Sequence, residues 1–252
     1  MFRIASACCL AFVLASAGCA HVPTEKELRS SEIHYDLGVQ AQQHGHVQDA
    51  LAEYQKALEQ NPDNPEAHNA VGILLHLSFR RLDEASTHYE KALKLRPTFS
   101  DARTNLGNLR LDQGRYDEAI KLYEEALNDM QYRFAFSAQG NMGWALYKKG
   151  DTANALQNIK AAVTTNPEFC LGFRNLGIIY DETGKTEEAC RQFANYREKC
   201  PDAAEAYHRE GVCQAKLGQV DAAKKAFAGC EAKAQPNEQV LKDDCHQLLE
   251  HL

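Results

Sequence analysis

The sequence has too few basic residues to favour nucleic acid and no apolar run long enough to cross a membrane. Its 252 residues contain 28 Lys and Arg against 35 Asp and Glu, a formal net charge of −7 at pH 7. Nucleic-acid affinity depends chiefly on neutralising phosphates, so an acidic chain without a basic cluster is poorly suited to it. The same charge balance provides no attraction to anionic lipid. The apolar segment Ile4–Ala15 is shorter than the roughly 20 residues that a spanning helix needs.

The sequence also lacks the motifs of common catalytic and metal sites. The stretch TGKT (183–186) ends like a phosphate-binding loop, but that loop needs a glycine where Ile179 stands. The absence of a C-x-x-C pair argues against a thioredoxin-like redox site. In CHQLLEH (245–251), Cys245 and His246 are adjacent and therefore point to different faces of a helix, which is unsuited to a zinc site. We find no nucleophile with a base and an orienting partner, and we predict a protein that is not an enzyme and needs no cofactor or metal.

The N-terminal apolar segment ends in small residues and one cysteine. Arg3 precedes it, and SAGC (16–19) follows it. This is the layout of a secretory signal peptide, and SAGC resembles the bacterial lipobox, whose cysteine becomes the first mature residue and carries the lipid. We expect residues 1–18 to be removed, Cys19 to be lipidated and residues 19–30 to form a polar tether; the alternative is that Cys19 is incidental. Ala20 stands where an inner-membrane retention signal often has Asp, which favours the periplasmic face of the outer membrane.

Six further cysteines lie in the C-terminal third of the chain. They are Cys170, Cys190, Cys200, Cys213, Cys230 and Cys245. Their even number, together with export to an oxidising compartment, predicts at least two disulfides. The alternative is a set of buried free thiols, which are common in helical cores.

A repeat of about 34 residues organises the rest of the chain. A glycine recurs at Gly38, Gly72, Gly107, Gly143, Gly177 and Gly211. An alanine follows each glycine after twelve or thirteen residues, and a bulky residue comes four residues later. Such spacings place side chains on one buried stripe of a helix. The pattern resembles the tetratricopeptide repeat, a helix–turn–helix unit.

The resemblance predicts an all-α fold, a right-handed α-solenoid of six tetratricopeptide repeats with a C-terminal capping helix. The predicted repeats are 31–64, 65–99, 100–133, 136–169, 170–203 and 204–237, and the cap is 238–252. The second repeat departs from the pattern, since LSFRRLDEA (77–85) has one extra residue and no glycine in its turn. Two extra residues also separate the third and fourth repeats.

The geometry of this repeat predicts three disulfide pairs. The first helix of a repeat starts beside the end of its second helix, so Cys170 should meet Cys200. The second helix packs antiparallel to the next repeat's first helix, which sets Cys190 opposite Cys213. The capping helix repeats that arrangement for Cys230 and Cys245. A disulfide requires Cα atoms within about 7 Å of each other.

Without an active site, the function of the protein is expected to depend on a binding groove. The first helices of successive repeats line a concave face, and by resemblance to the family the candidate residues are Asn69, Ile73, Asn108, Trp144, Tyr147, Arg174 and Ile178. Trp144, the only tryptophan, is expected mid-groove near Tyr147. Aromatic residues and arginine are enriched at binding hot spots. The alternative is that Trp144 packs against the linker at 131–135.

A lipobox followed by six such repeats resembles the type IV pilus biogenesis lipoproteins of the PilF/PilW family, and the N-terminus and C-terminal cysteines are similar to those of its myxobacterial member. The resemblance implies a pilotin: an outer-membrane lipoprotein that promotes assembly of the pilus secretin PilQ into multimers, needed for pilus formation and pilus-dependent motility. Other pilus machine proteins would be further partners. Two alternatives remain. One is an adaptor for another envelope complex, such as outer-membrane-protein assembly or a cell-wall hydrolase scaffold; the other is a thiol-exchange enzyme that uses the C-terminal cysteines.

Overall fold

The structure, a computed structural model, describes residues 22–252. This part of the protein is built from α-helices. The predicted signal peptide and Cys19 lie outside these residues. The helices are α1 (Glu25–Gln43), α2 (Val47–Gln60), α3 (Pro65–Leu77), α4 (Leu82–Leu95), α5 (Ser100–Asp112), α6 (Tyr116–Leu127), α7 (Ala135–Lys148), α8 (Thr152–Thr165), α9 (Cys170–Glu182), α10 (Thr186–Lys199), α11 (Ala204–Lys216), α12 (Val220–Lys233), a 3₁₀ turn (Pro236–Glu238) and α13 (Gln239–Glu250).

Consecutive helices form six pairs, from α1–α2 to α11–α12, and each pair packs against the next. The helix α13 closes the stack against α11 and α12. Each helix pair occupies one of the sequence repeats, and α13 occupies the segment expected to be the cap. The expectation of an all-α solenoid is confirmed. No helix within residues 22–252 combines the length and apolar character needed to cross a membrane.

The recurring glycine, alanine and bulky residues form the core of each helix pair. The bulky residues are almost wholly buried, between 0 and 3 % exposed: Tyr54, Tyr89, Tyr123, Ile159, Phe193 and Phe227. Their rings or chains lie flat against the glycine of the preceding helix. A Cβ atom added to Gly107 would stand 2.7 Å from Cε1 of Tyr123, closer than packed atoms allow. The glycine is therefore required by the close approach of the two helices.

The turn of the second repeat shows how a missing glycine is accommodated. In the third repeat, Gly114 takes the left-handed conformation between the two helices, with φ of 73°. In the second repeat Arg80 takes it, with φ of 56°. A side chain at positive φ costs free energy because its Cβ approaches the backbone carbonyl. The extra residue of this turn thus leaves a locally strained connection between α3 and α4.

The prediction of a polar tether extending to residue 30 is wrong for residues 25–30. The helix α1 already begins at Glu25. The Thr24 hydroxyl accepts a hydrogen bond from the backbone of Glu27, and the Glu27 carboxylate accepts one from the backbone of Thr24. This reciprocal pair is a capping box, which satisfies free N–H groups at the start of a helix. The sequence TEKE (24–27) therefore extends α1 beyond the repeat boundary at residue 31.

All six C-terminal cysteines are paired in disulfides. Cys170 joins Cys200, Cys190 joins Cys213 and Cys230 joins Cys245, with Cα atoms 5.8, 5.4 and 6.2 Å apart. These are the three pairs expected from repeat geometry. They link the start of a repeat to its own end, one repeat to the next, and the last repeat to the capping helix.

Candidate functional site

Polar side chains on the first helices of successive repeats contact one another along one face of the solenoid. The pairs are His76–Asp112, Asn69–Asn105, Asn108–Asn141, Tyr147–Glu182, Asp181–Lys216 and His208–Asp244. We call this series the polar ladder. It joins α3 to α5, α5 to α7, α7 to α9, α9 to α11 and α11 to the capping helix α13, along the face on which the groove is expected.

Two of the predicted groove residues are occupied within the polar ladder. The side-chain oxygen of Asn69 accepts a hydrogen bond from Asn105 at 3.0 Å. The side-chain oxygen of Asn108 accepts one from Asn141 at 2.8 Å and a second from the Tyr123 hydroxyl, also at 2.8 Å. Burial raises the pKa of Tyr123, so the hydroxyl stays protonated and remains a donor. Asn69 and Asn108 therefore hold repeats together.

Two other predicted residues, Trp144 and Arg174, share a cleft in the middle of this face. The cleft has a volume of about 380 Å³ and lies between the first helices of the third, fourth and fifth repeats. It is lined by Leu111, Asp112, Tyr116, Asn141, Trp144, Lys148, Leu171, Arg174 and Asn175. The cleft combines an indole, exposed leucine surface, amides and two basic side chains, a composition suited to a peptide.

Trp144 packs within its own helix. Its ring lies 5.4 Å from the ring of Tyr147, and the ammonium of Lys148 lies 5.0 Å from the indole. The Tyr147 hydroxyl donates to Glu182; burial first, and then this acceptor and its charge, raise the pKa of Tyr147 to about 12. The underside of Trp144 rests on the core shared by the fourth and fifth repeats. One side of the indole is thus fixed while the other lines the cleft.

The aromatic residues of the linker before α7 pack elsewhere. Tyr132 contacts Phe134, Phe134 contacts Phe136, and Phe136 contacts Phe169, with ring centroids 6.2, 6.3 and 5.5 Å apart. None of these ring contacts involves Trp144, which was expected as an alternative to pack against residues 131–135. The structure places Trp144 in the cleft.

The cleft carries a positive charge on an acidic protein. Within the described residues Lys148 makes no ion pair. Arg174 lies 3.6 Å from Glu205, a carboxylate that Arg209 already engages at 2.8 Å. The one acidic residue of the lining, Asp112, is bound by His76 at 3.0 Å and lies 3.8 Å from the guanidinium of Arg80.

Of the two predicted apolar groove residues, Ile178 is largely buried, whereas Ile73 is half-buried and keeps part of its surface exposed. Ile178 is only 9 % exposed and belongs to the core shared by the fourth and fifth repeats. Ile73 packs against the core of the first repeats. The groove prediction for Ile73 stays a prediction, while the burial of Ile178 is favoured by the removal of its apolar surface from water.

Sequence reasoning missed most of the cleft lining, including Asn141, Lys148 and Asn175. A signal was available for these three. An asparagine occupies the sixth position of the third, fourth and fifth repeats, at Asn105, Asn141 and Asn175. Lys148 follows Trp144 by four residues and therefore lies on the same face of α7.

The described residues provide no group of three or more side chains that could hold a metal ion. Of the pair considered from sequence, Cys245 is bonded to Cys230 and His246 is bound to Glu231 at 2.7 Å. The disulfides also occupy every cysteine in the described part of the chain that a thiol-exchange reaction would need.

Comparison with family models agrees with the helix pairs. Models described as tetratricopeptide repeats match residues 73–138, 174–203, 136–169 and 204–231, and one described as a TPR repeat matches residues 43–78. Together the matches run through nearly the whole stack of helices.

Two solved structures match this chain almost end to end. PilW, described as a widely conserved type IV pilus biogenesis factor, superposes with a TM-score of 0.71 at 22 % identity, over 84 % of this chain and 97 % of that one. PilF of Pseudomonas aeruginosa superposes with a TM-score of 0.69 at 17 % identity, over 88 % of this chain and 99 % of that one. At these identities the similarity shows a common fold.

Curated relatives are larger proteins that contain a similar segment. Protein FlbA of Caulobacter vibrioides is 28 % identical over 148 residues, 57 % of this chain. The TPR repeat-containing protein MJ1428 of Methanocaldococcus jannaschii is 25 % identical over 156 residues, 58 % of this chain. The matches span only 23 % and 27 % of the lengths of these two relatives.

Proposed function

This chain belongs to the tetratricopeptide repeat family, and on that basis we propose that it is a pilotin, which promotes assembly of the type IV pilus secretin PilQ into multimers. The observation that carries the proposal is the extent of the match to PilW and PilF, which covers 97 % and 99 % of those chains. The likeness therefore extends over nearly the whole of each of those two chains. The cleft around Trp144 supplies a surface suited to a polypeptide client.

The N-terminal segment and the six C-terminal cysteines resemble those of Tgl, the myxobacterial member of the PilF/PilW lipoproteins. This likeness, with the SAGC (16–19) motif, supports an outer-membrane lipoprotein whose acyl chains are attached at Cys19. A single acyl chain anchors only weakly, and stable attachment takes more than one. The acidic composition leaves the lipid as the means of membrane attachment.

The proposed mechanism needs binding but no chemical reaction. The lipid holds the solenoid at the inner leaflet of the outer membrane and raises its effective concentration for clients there. The cleft binds an extended segment of an unassembled secretin subunit, which keeps the subunit from aggregating before it meets others. Insertion and oligomerisation of the secretin then provide the free energy, so no nucleotide is required.

Deletion of the gene tests this function. Cells without the protein should make normal amounts of PilQ monomer, little detergent-resistant multimer on a non-boiled gel, and no surface pili. Wild-type levels of multimer in the deletion strain would refute a pilotin role. Pull-down from envelope extracts would then show whether the client belongs instead to outer-membrane-protein assembly or to cell-wall hydrolysis.

Cys19→Ala tests the anchor separately. The variant should fail to incorporate radiolabelled palmitate and should no longer sediment with the outer membrane, because the thiol that receives the lipid is gone. Cys170 and Cys200 are not suitable acceptors, since they are bonded to each other. Palmitate label that persists in the Cys19→Ala protein would contradict lipidation at this residue.

A further inference from the structure

The asparagine contacts of the polar ladder end at the fourth repeat, where Trp144 stands in place of an acceptor. The asparagine at the sixth position of the fourth repeat, Asn141, donates to Asn108, which stands at the ninth position of the third repeat. In the next repeat the sixth position is Asn175, and the residue in register with Asn108 is Trp144. An indole N–H can donate a hydrogen bond but cannot accept one. Asn175 therefore lacks the acceptor that its counterpart Asn141 has.

The side chain of Asn175 is left without a partner inside the protein. It makes no hydrogen bond within residues 22–252, although the residue is only 6 % exposed. Neither of its amide atoms is fully buried, so water can reach the amide, and a ligand has to offer a hydrogen bond in exchange for that water. Asn175 lines the cleft, so its amide is accessible to a group that enters from the groove.

The charges beside Asn175 select the kind of group. Lys148 has no ion pair in the described part of the chain. Arg174 lies 3.6 Å from Glu205, too far for a hydrogen bond, and that carboxylate is bound by Arg209 at 2.8 Å. The carboxylate in the same lining, Asp112, is already bound by His76. An unpaired amide donor next to two cations is complementary to a carboxylate, since hydrogen bonds to charged groups are the strongest in proteins.

We propose that Asn175, Lys148 and Arg174 bind the carboxylate of an acidic side chain in an extended segment of the client protein. Trp144 and Leu171, which is 43 % exposed, receive an apolar residue next to that acid. This rests on the proposed function, in that it assigns a recognition chemistry to the client-binding cleft. The occupant is a polypeptide with an acidic residue beside an apolar one.

Peptide selection tests the chemistry without assuming a client. Phage-displayed random dodecapeptides are selected on the folded mature protein, and the recovered sequences are synthesised with blocked ends. We expect them to pair Asp or Glu with an aliphatic or aromatic neighbour. Binding is measured from the fluorescence of Trp144, which reports only on this site because the chain has one tryptophan. Replacing the acid by its amide should weaken binding about tenfold or more.

Blocked and free C-termini separate an acidic side chain from a chain end. If the site takes a side-chain carboxylate, peptides with amidated and free C-termini should bind equally. A site that requires a free C-terminus, or a selection that returns only neutral or basic sequences or no binders, would overturn the proposal.

Charge variants assign the site to its residues. Lys148→Gln and Arg174→Gln should each lower the affinity for the acidic peptide about tenfold but leave the affinity for its amide counterpart unchanged. Asn175→Leu should also lower the affinity for the acidic peptide. Circular dichroism should show that this variant is folded. Lys121→Gln removes an exposed lysine of α6 outside the cleft and serves as the control.

Equal affinity of the acidic peptide for the wild type and for Lys148→Gln and Arg174→Gln would overturn the carboxylate assignment. That result leaves the pilotin function standing if the deletion strain still lacks secretin multimers. Conversely, normal multimers in the deletion strain with retained acidic-peptide binding would refute the function and keep the site.

Discussion

At the scale of single residues, the hydrogen bond between His68 and His88 makes stability depend on pH. Their Nδ1 atoms are 3.0 Å apart, and Nε2 of His68 lies 3.0 Å from the carbonyl of Pro62. If His68 donates from Nε2 to that carbonyl, its Nδ1 is the acceptor for His88, an arrangement that requires a neutral His68. Burial lowers the pKa of both residues, and the charge of His68 lowers that of His88 further.

A lowered pKa in the folded state means that the unfolded chain binds protons first. Stability from this pair is therefore complete above the ordinary histidine pKa of about 6.5 and is lost as pH falls through the lower folded values. At His68, the hydrogen bond to the Pro62 carbonyl and the charge of Asp63 raise the pKa and oppose this loss, while the charge of Lys91 favours it. At His88, the charge of Glu84 opposes it.

We predict that the melting temperature falls between pH 7.5 and 5.5, and that His68→Gln reduces this fall. Glutamine cannot be protonated, so the variant loses the linkage along with some stability at neutral pH. Thermal unfolding followed by circular dichroism measures both. His44→Gln alters an exposed histidine and should keep the wild-type dependence on pH; an identical dependence in His68→Gln would exclude the pair as its source.

The residues of the cleft show how far a repeat pattern leads. Trp144 and Arg174 were found from register, because the positions that line the groove recur in every unit. Asn175 could not be predicted in this way, because its role in the cleft depends on the absence of an acceptor in the neighbouring repeat. That loss becomes visible only when the contact between Asn141 and Asn108 shows which positions face each other.

At the scale of helices and turns, periodicity predicts the pairs well but the ends less well. The repeat places helices where α3 to α12 occur, because the glycine, alanine and aromatic positions define one buried stripe. The start of α1 escaped this reasoning because Thr24 and Glu27 lie outside the repeat and act locally. The turn of the second repeat also escaped it, since Arg80 adopts a conformation usual for glycine.

We predict that Arg80→Gly stabilises the protein by about 0.5–1 kcal/mol. Removing the Cβ relieves a left-handed conformation that costs roughly 1–2 kcal/mol, and the greater freedom of glycine in the unfolded chain offsets part of the gain. The ion pair with Asp112, 3.8 Å long at an exposed side chain, contributes little. Urea unfolding measures the change.

Arg81→Gly is the matched control for that substitution. Arg81 has φ of −92°, so glycine relieves no strain there. It also removes the ion pair with Glu84, 2.5 Å long. We expect this variant to be destabilised slightly; a lower midpoint for Arg80→Gly as well would show that the turn is not strained.

At the scale of the whole molecule, the disulfides divide the solenoid into two parts. The three bridges close segments of 30, 23 and 15 residues. The first lies within the fifth repeat, the second joins the fifth repeat to the sixth, and the third joins the sixth repeat to the capping helix. Stacked repeats interact mainly with their neighbours, so each part responds to its own stabilising contacts. A bridge of this length contributes about 2–4 kcal/mol.

Reduction should therefore loosen only the C-terminal part. Hydrogen exchange measured with and without a reductant should lose protection in α9 to α13, while α3 to α6 serve as an internal control without cysteines. Mass spectrometry of a non-reduced digest should recover the three linked peptides. Free thiols, or uniform loss of protection along the chain, would contradict this division.

The central claim is that the cleft around Trp144 assists secretin assembly. The most direct measurement is the amount of detergent-resistant PilQ multimer on a non-boiled gel, in cells that produce Trp144→Ala with Arg174→Ala, with Lys121→Gln as the control. Truncating a hot-spot residue commonly costs about 2 kcal/mol or more of binding. The account predicts normal PilQ monomer and a multimer level close to that of the deletion strain, with the variant protein folded and present at wild-type amounts. Wild-type multimer levels in that strain would contradict it.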